Sequence, residues 1–508
     1  MPPTRRGFLA GAGLLTARSA HSAGAIVIDP TPVFEISPHL YMQFMEPLGT
    51  TDSSVEAAWD YDTDDWRKDF VAVVRDLSPD VIRWGGLFSR YYKWREGVGE
   101  PDKRPWMRNY VWGGKETNRV GTLEFVGLCR AVSAEPLYCV NFLGDGDARY
   151  QRAREGDRWG DAREAADWVS YCNDPDNRDR KSHGTSGPLN VKLWQIGNET
   201  SYGRNSFSRD EAILHTAEFA RAMKQRDPSI RLIGWGDKSR IQEEGLWAGE
   251  VLKRAGEHLD YVAIHLMGQS PRRPDTVLRG LRYQRAPERA WEELLELSNN
   301  VESRIAELEE VVKPYAPRIG IAVTEGHLGL SPHNAHPILA EWLSAVYHAR
   351  SMNIYQRHGR YVRIATGADF EGVRWTVNAV MLQVPRGISY LMPAGSIMRL
   401  FKRHNGKHGV TVTSAPSDLD IAASISEKRL YLHVANIALS RPVMASFSIE
   451  GRRITGGRVF EIAPDDPRQA VSQDQPDVFA PREKQIPAQA AAWTFPKASV
   501  SVIELDLA

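Results

Sequence analysis

Val191-Lys192-Leu193-Trp194-Gln195-Ile196-Gly197-Asn198, the helical stretch 209–225, and Arg231-Leu232-Ile233-Gly234-Trp235-Gly236 together form the segment on which the fold turns. Two short apolar runs, each ending in Gly or polar residues, flank one helix, which is the signature of neighbouring parallel strands joined by a crossover. The alternation extends in both directions. Strands are expected at 41–46, 81–85, 136–141, 191–198, 231–236, 261–265, 319–324 and 362–367. Helical stretches at 66–77, 123–133, 209–225, 301–312 and 340–351 lie between them. Eight strands with such crossovers predict a (β/α)8 TIM barrel over residues 38–395, whose chemistry sits at the C-terminal strand ends. Beyond Gly395 the period becomes two, in 409–414, 429–435 and 500–507, with Pro- and Gly-rich turns. That pattern predicts an antiparallel β-sandwich over 396–508, joined by strand-like residues 26–37 from the other end of the chain. The polar, Pro- and Gln-rich stretch 464–492 reads as a long irregular excursion.

Composition narrows the function. With 508 residues, 42% hydrophobic and 25% charged, the chain can bury a large core, which excludes a single small module, disorder and collagen-like structure. The 64 Lys+Arg balance 64 Asp+Glu without a basic block, so nucleic acid is not an expected partner. No stretch reaches the ~20 apolar residues of a membrane helix, so no membrane partner is expected either. Residues 1–25 contain Thr4-Arg5-Arg6-Gly7-Phe8-Leu9, a short apolar run and Ala23-Gly24-Ala25, which resembles a twin-arginine signal peptide. Export to the periplasm or the extracellular space is therefore expected. Loss of Arg5, Arg6 and Arg18 would leave 61 basic against 64 acidic residues, a net charge of −3. Cys129, Cys139 and Cys172 have no C-x-x-C spacing and read as buried free thiols.

Two acids stand at strand ends. Trp194-Gln195-Ile196-Gly197-Asn198-Glu199 closes the fourth strand, and Ala322-Val323-Thr324-Glu325-Gly326-His327 closes the seventh. Strands four and seven face each other across a barrel mouth, so both carboxylates could flank a sugar. Glycoside hydrolysis needs one protonated acid for the leaving oxygen and a second carboxylate to attack or to activate water. Glu199 must then be protonated near neutral pH, by burial and by repulsion from a neighbouring carboxylate, while Glu325 stays ionised. The amide of Asn198 could donate to the hydroxyl beside the anomeric carbon, or it could cap the strand end.

The sequence resembles glycoside hydrolase family 51, the α-L-arabinofuranosidases, within the retaining (β/α)8-barrel clan A. Five stretches carry the resemblance: Phe44-Met45-Glu46-Pro47-Leu48-Gly49; Arg83-Trp84-Gly85-Gly86 running on to Tyr92-Lys93-Trp94 and Gly97-Val98-Gly99; Gly121-Thr122-Leu123-Glu124-Phe125; Ile196-Gly197-Asn198-Glu199; and Asn353-Ile354-Tyr355-Gln356-Arg357-His358. It spans the whole chain after the first 25 residues. It implies Glu199 as acid/base, Glu325 as nucleophile, Glu46 and Asn198 as sugar-hydroxyl partners, and a homo-oligomer. The implied activity is double displacement by an exo-acting, arabinofuranosidase-like enzyme on the side chains of plant or microbial polysaccharides or oligosaccharides, with no cofactor and no metal.

Departures from the family pattern point to a rebuilt pocket. Leu87 stands where many members have Asn, Gly326-His327 replace Trp-Asn after the nucleophile, and Leu266-Met267 follow His265 where an aromatic is expected. The alternative substrates are another furanoside, a xyloside or a β-glucan. His265 and His327 read as sugar-hydroxyl partners. Trp84, Trp94 and Trp235, at or just after strand ends, are candidate walls of the sugar site. Trp66 and Trp342 read as packing, while Trp106 and Trp112 fit either role. Two readings from other classes stand beside this one. His265, His327, His333 and His336 could hold a metal for a metal-dependent hydrolase, or the chain could be a non-catalytic carbohydrate-binding protein.

Overall fold

The computed structural model describes residues 24–49, 54–150, 157–203, 206–332, 335–372, 378–384, 387–488 and 491–508. Residues 1–23 lie outside this set, and with them nearly all of the signal-peptide reading.

Eight parallel strands form the barrel: β1 (Met42–Met45), β2 (Val81–Trp84), β3 (Glu135–Val140), β4 (Leu193–Ile196), β5 (Arg231–Trp235), β6 (Tyr261–His265), β7 (Gly320–Glu325) and β8 (Val362–Ala365). Each pairs in parallel with the next in chain order. Closure between β8 and β1 takes two steps. His39 bridges Ile364 in parallel, and Asp369–Gly372, continuing the line of β8, pairs at Asp369 with Phe44. The strands are almost wholly buried, because helices cover the barrel outside while side chains fill it.

The crossover helices include Lys68–Leu77, Thr122–Ala131, Ala162–Asn173, Arg209–Arg226, Ala248–Ala255, Pro287–Val312 and Ala345–Arg357. Arg209–Arg226 starts where the sequence says it should. The Ser208 hydroxyl accepts from the Glu211 backbone N–H while the Glu211 carboxylate accepts from that of Ser208, a reciprocal cap. Pro287–Val312 begins fourteen residues before the expected 301, with Pro287 opening it as Pro can at a first helical position.

Both chain ends meet in one nine-stranded sheet. Gly24–Glu35 pairs antiparallel with His408–Ser414 and parallel with Val443–Ile449, so the expected antiparallel sandwich contains one parallel contact. Its own apolar cluster includes Ile26, Ile28, Leu432, Phe447 and Leu505. The stretch 464–492 is more regular than expected. It holds the strand Arg482–Ile486, and residues 469–471 hydrogen-bond along Ala340 and Trp342 of the barrel. Phe479 packs on the Trp342 ring at 4.9 Å. Asp420 joins the two units by accepting from Arg350 at 3.2 Å, Asn353 at 2.8 Å and Arg357 at 2.9 Å. The Asn353-to-His358 stretch that carries part of the family resemblance thus docks the sheet and lies away from the mouth. Cys129, Cys139 and Cys172 are free and buried. Among the described residues, no helix is long and apolar enough to cross a membrane.

Candidate active site

Glu199 is aimed by a short turn after β4. Gly197 has φ +81° and Glu199 has φ +54°, a left-handed conformation uncommon outside glycine, so the chain around them must be held. Arg90 and Asp145 hold it. Asp145 is fully buried and accepts from Thr200 Oγ1 at 2.6 Å and from the Asn198 N–H at 3.4 Å. Arg90 donates to Asp145 at 3.1 Å, to the Asn198 carbonyl at 3.1 Å and to the Glu199 carbonyl at 3.3 Å.

Arg83 organises the barrel centre. This β2 residue is 0% exposed and donates to Gln195 Oε1 at 2.8 Å, Glu325 Oε1 at 3.0 Å and Asn198 Oδ1 at 2.5 Å. The last contact fixes the Asn198 amide. Its oxygen is occupied, and its buried Nδ2 has no partner among the described residues and is available as a donor. Glu46 accepts from the Phe88 N–H at 2.8 Å and from Trp112 Nε1 at 2.9 Å, so Trp112 belongs to the mouth. Gly86, at φ +84°, leaves room for that carboxylate, since a Cβ there would stand 2.4 Å from Glu46 Cδ.

His265 lies between the two strand-end acids, with Nδ1 3.2 Å from Glu199 Oε1 and 3.4 Å from Glu325 Oε2. Its Nε2 is 3.1 Å from Thr324 Oγ1 and its backbone N–H donates to buried Asp237 at 3.0 Å. Tyr202 and Arg304 also donate to Asp237. One ligand atom from each of Glu199, His265 and Glu325 lies within 4.8 Å of the others. This spacing could also serve a divalent cation. Neither His327 nor His336 is part of that group; His327 is buried beside β7, His336 caps the turn Pro337–Ala340, and His333 lies outside the described residues.

The expected rise in the Glu199 pKa is corrected by this geometry. Burial does push the carboxyl up, but the hydrogen bond and charge of His265, with Arg90 and Arg240, outweigh it and leave Glu199 below its ordinary range. Replacing His265 by Gln removes the main lowering influence and leaves the burial. With Glu199 in the role expected of it, a general acid that works only when protonated, the basic limb of the kcat/KM–pH profile is expected to move to higher pH in His265→Gln. A limb that stays put or moves down would exclude His265 as the controlling group.

The candidate walls divide. Trp235 donates to Ser201 Oγ at 2.9 Å and sets its ring edge-on to His265 at 4.6 Å, just behind the mouth. Trp84 alternates with inward-facing Arg83 and packs outside the barrel against Phe125 at 5.2 Å. Trp94 stacks on Trp168 at 6.1 Å and donates to the Glu164 carbonyl. Neither Trp84 nor Trp94 is brought to the two acids. Trp66 and Trp342 are buried, and Trp106 is 61% exposed. Arg83, Arg90, Asp145, Tyr202 and Asp237 are site residues that strand-end reading missed. The signal available for them was polarity at positions where a barrel strand or its first loop residues should be apolar.

Residues 73–281 match the family described as "Alpha-L-arabinofuranosidase 1 domain". The chain is 32% identical over 254 residues to intracellular exo-alpha-(1->5)-L-arabinofuranosidase 1 of Bacillus subtilis, covering 48% of each chain. It is 33% identical over 233 residues to alpha-L-arabinofuranosidase C of Emericella nidulans, covering 43% of this chain and 42% of that one. The matches thus span about half the length of these curated relatives. The structure of an alpha-L-arabinofuranosidase from Thermotoga maritima superposes over 95% of this chain and 99% of the other, with a TM-score of 0.73 and 25% identity.

A (β/α)8 barrel, a β-sheet domain built from both ends of the described chain, and facing glutamates just after β4 and at the end of β7 give this chain the architecture of barrel glycoside hydrolases. More narrowly, the chain is similar to α-L-arabinofuranosidases, in sequence over about half its length and in fold over 95% of it. The comparisons also correct one expectation. The matching enzymes of Bacillus subtilis, Acetivibrio thermocellus and Halalkalibacterium halodurans are named intracellular, which overturns the export reading.

Proposed function

We propose that the protein is a retaining, exo-acting glycoside hydrolase that releases α-L-arabinofuranosyl units from the side chains of polysaccharides or oligosaccharides, with residues 38–395 as its catalytic unit. One observation carries this reading: a carboxylate oxygen of Glu199 lies within 4.8 Å of one from Glu325. Retaining enzymes keep their carboxyl groups about 5–5.5 Å apart, whereas inverting enzymes need roughly 6.5–9.5 Å to admit a water.

Glu325 attacks the anomeric carbon while Glu199 gives its proton to the departing oxygen, forming a glycosyl ester on Glu325. Glu199 then takes a proton from water, the water oxygen attacks the same carbon, and the sugar leaves with its configuration retained. Arg83 holds Glu325 in place through their ion pair at 3.0 Å, and Asn198 Nδ2 donates to the neighbouring sugar hydroxyl.

The test is a panel of chromogenic furanosides and pyranosides in both anomers, with Glu325→Ala as the blank. The largest kcat/KM is expected on the α-L-arabinofuranoside, with the first-formed sugar, followed by NMR, retaining its anomeric configuration. Inversion, or no turnover of any glycoside above the blank, would overturn the proposal.

A further inference from the structure

Two cavities meet at Glu199. One, of about 510 Å³, runs from Glu199 and His265 past Lys238 and Arg240 to Arg304. The other, of about 370 Å³, lies between Leu87, Arg90, Arg149 and the turn after β4. Tyr202 and Arg240 line both. In the larger cavity Glu199 is the sole acid among the described lining residues, against three cations.

Most of these cations already have carboxylate partners. Lys238 pairs with Glu307 at 2.7 Å, Arg304 with Asp237, Arg90 with Asp145 at 3.1 Å and Arg149 with Asp147 at 2.8 Å. Arg240 differs. It is exposed and makes no ion pair among the described residues, and its guanidinium lies over the Tyr202 ring, 5.9 Å from the centroid. Its backbone is nevertheless anchored. The Arg240 N–H donates to the Ser201 carbonyl at 3.2 Å, and Ser201 Oγ donates to the Lys238 carbonyl at 2.9 Å. A free guanidinium on a fixed loop, braced on an aromatic face, is a donor fork suited to a carboxylate.

We propose that the space beside Glu199 is a leaving-group subsite for an acidic glycan, in which Arg240 receives the carboxylate of a uronic acid unit. The inference rests on the hydrolase reading for one step only, that the acid/base faces the departing oxygen and therefore the sugar that leaves. Leu87 suits this assignment, since an apolar side chain on the cavity wall adds no competing acceptor for Arg240.

The experiment compares oligogalacturonates of three to four units with the same oligosaccharides after methyl esterification, which removes charge and keeps shape. Binding is measured by calorimetry on the full chain carrying Glu325→Gln, so that nothing turns over. The free acids are expected to bind at least tenfold more tightly than the esters. Their advantage is expected to shrink as salt rises from 0.02 to 0.5 M, because exposed charges are screened. Adding Arg240→Gln should bring the acid-to-ester ratio close to one, and Arg240→Lys should restore part of it. Equal binding of acid and ester, or a preference that survives Arg240→Gln, overturns the subsite. Preference for the acids without hydrolysis of any aryl glycoside by the unmodified protein would sink the hydrolase reading and leave the subsite standing. Hydrolysis without preference for acids would do the reverse.

Discussion

Glu325→Ala is expected to lower the hydrolysis of an aryl α-L-arabinofuranoside by about 10⁴- to 10⁶-fold, the scale on which removal of a covalent nucleophile acts. The size follows from geometry. Glu325 ends β7 with its carboxylate held by Arg83 at 3.0 Å, and the other acid at the same spot, Glu199, is the proposed proton donor. Glu199→Ala is expected to be less severe, about 10²- to 10⁴-fold, and to spare the first step for activated aryl leaving groups, which need little protonation. Added azide separates the roles. It should rescue Glu325→Ala with inversion, because it replaces the nucleophile on the opposite face, and Glu199→Ala with retention, because it replaces water on the glycosyl-enzyme. Product azides of the exchanged configuration would exchange the two roles. Rates within tenfold of the unmodified protein for both variants would move the site elsewhere.

Arg83→Met should cost the fold itself. Arg83 is wholly buried and donates to Gln195, Asn198 and Glu325, so its loss strips a buried carboxylate of its guanidinium partner and takes a donor from two further acceptors inside the barrel. Breaking a buried ion pair from one side costs about 3–5 kcal/mol, visible as a drop in the urea midpoint. The companion Arg83→Met/Glu325→Gln should recover part of this loss, because the stranded charge is gone. If Arg83→Met were as stable as the unmodified protein, Arg83 would not be the ionic centre of the barrel. Activity should fall as well, since Glu325 and the Asn198 amide both lose the group that orients them.

Glu199 and Glu325 were legible because their positions depend on local pattern alone. A β-run followed by a helix puts the last strand residues at one end of a parallel sheet, and eight such units set strand four opposite strand seven. The same reading failed for Trp84 and Trp94, for a physical reason. Proximity to a strand end does not say which face a side chain takes, and here Arg83 claims the interior and turns Trp84 outward onto Phe125. Arg90 and Asp145 were missed because they lie on different loops, 55 residues apart, and are brought together by the barrel's curvature.

What the sequence determined by itself is therefore the alternation of elements, the barrel it builds, the second unit of period two, and the two acids at strand ends. These are consequences of hydrophobic periodicity and strand direction, which are local. Only the tertiary structure decided what surrounds those acids. The placing of His265 between Glu199 and Glu325 at 3.2 and 3.4 Å, and with it the direction in which Glu199 titrates, depends on closure across β4, β6 and β7. The field at a buried carboxylate is the sum over every charge packed around it, and those neighbours come from strands and loops far apart in the chain.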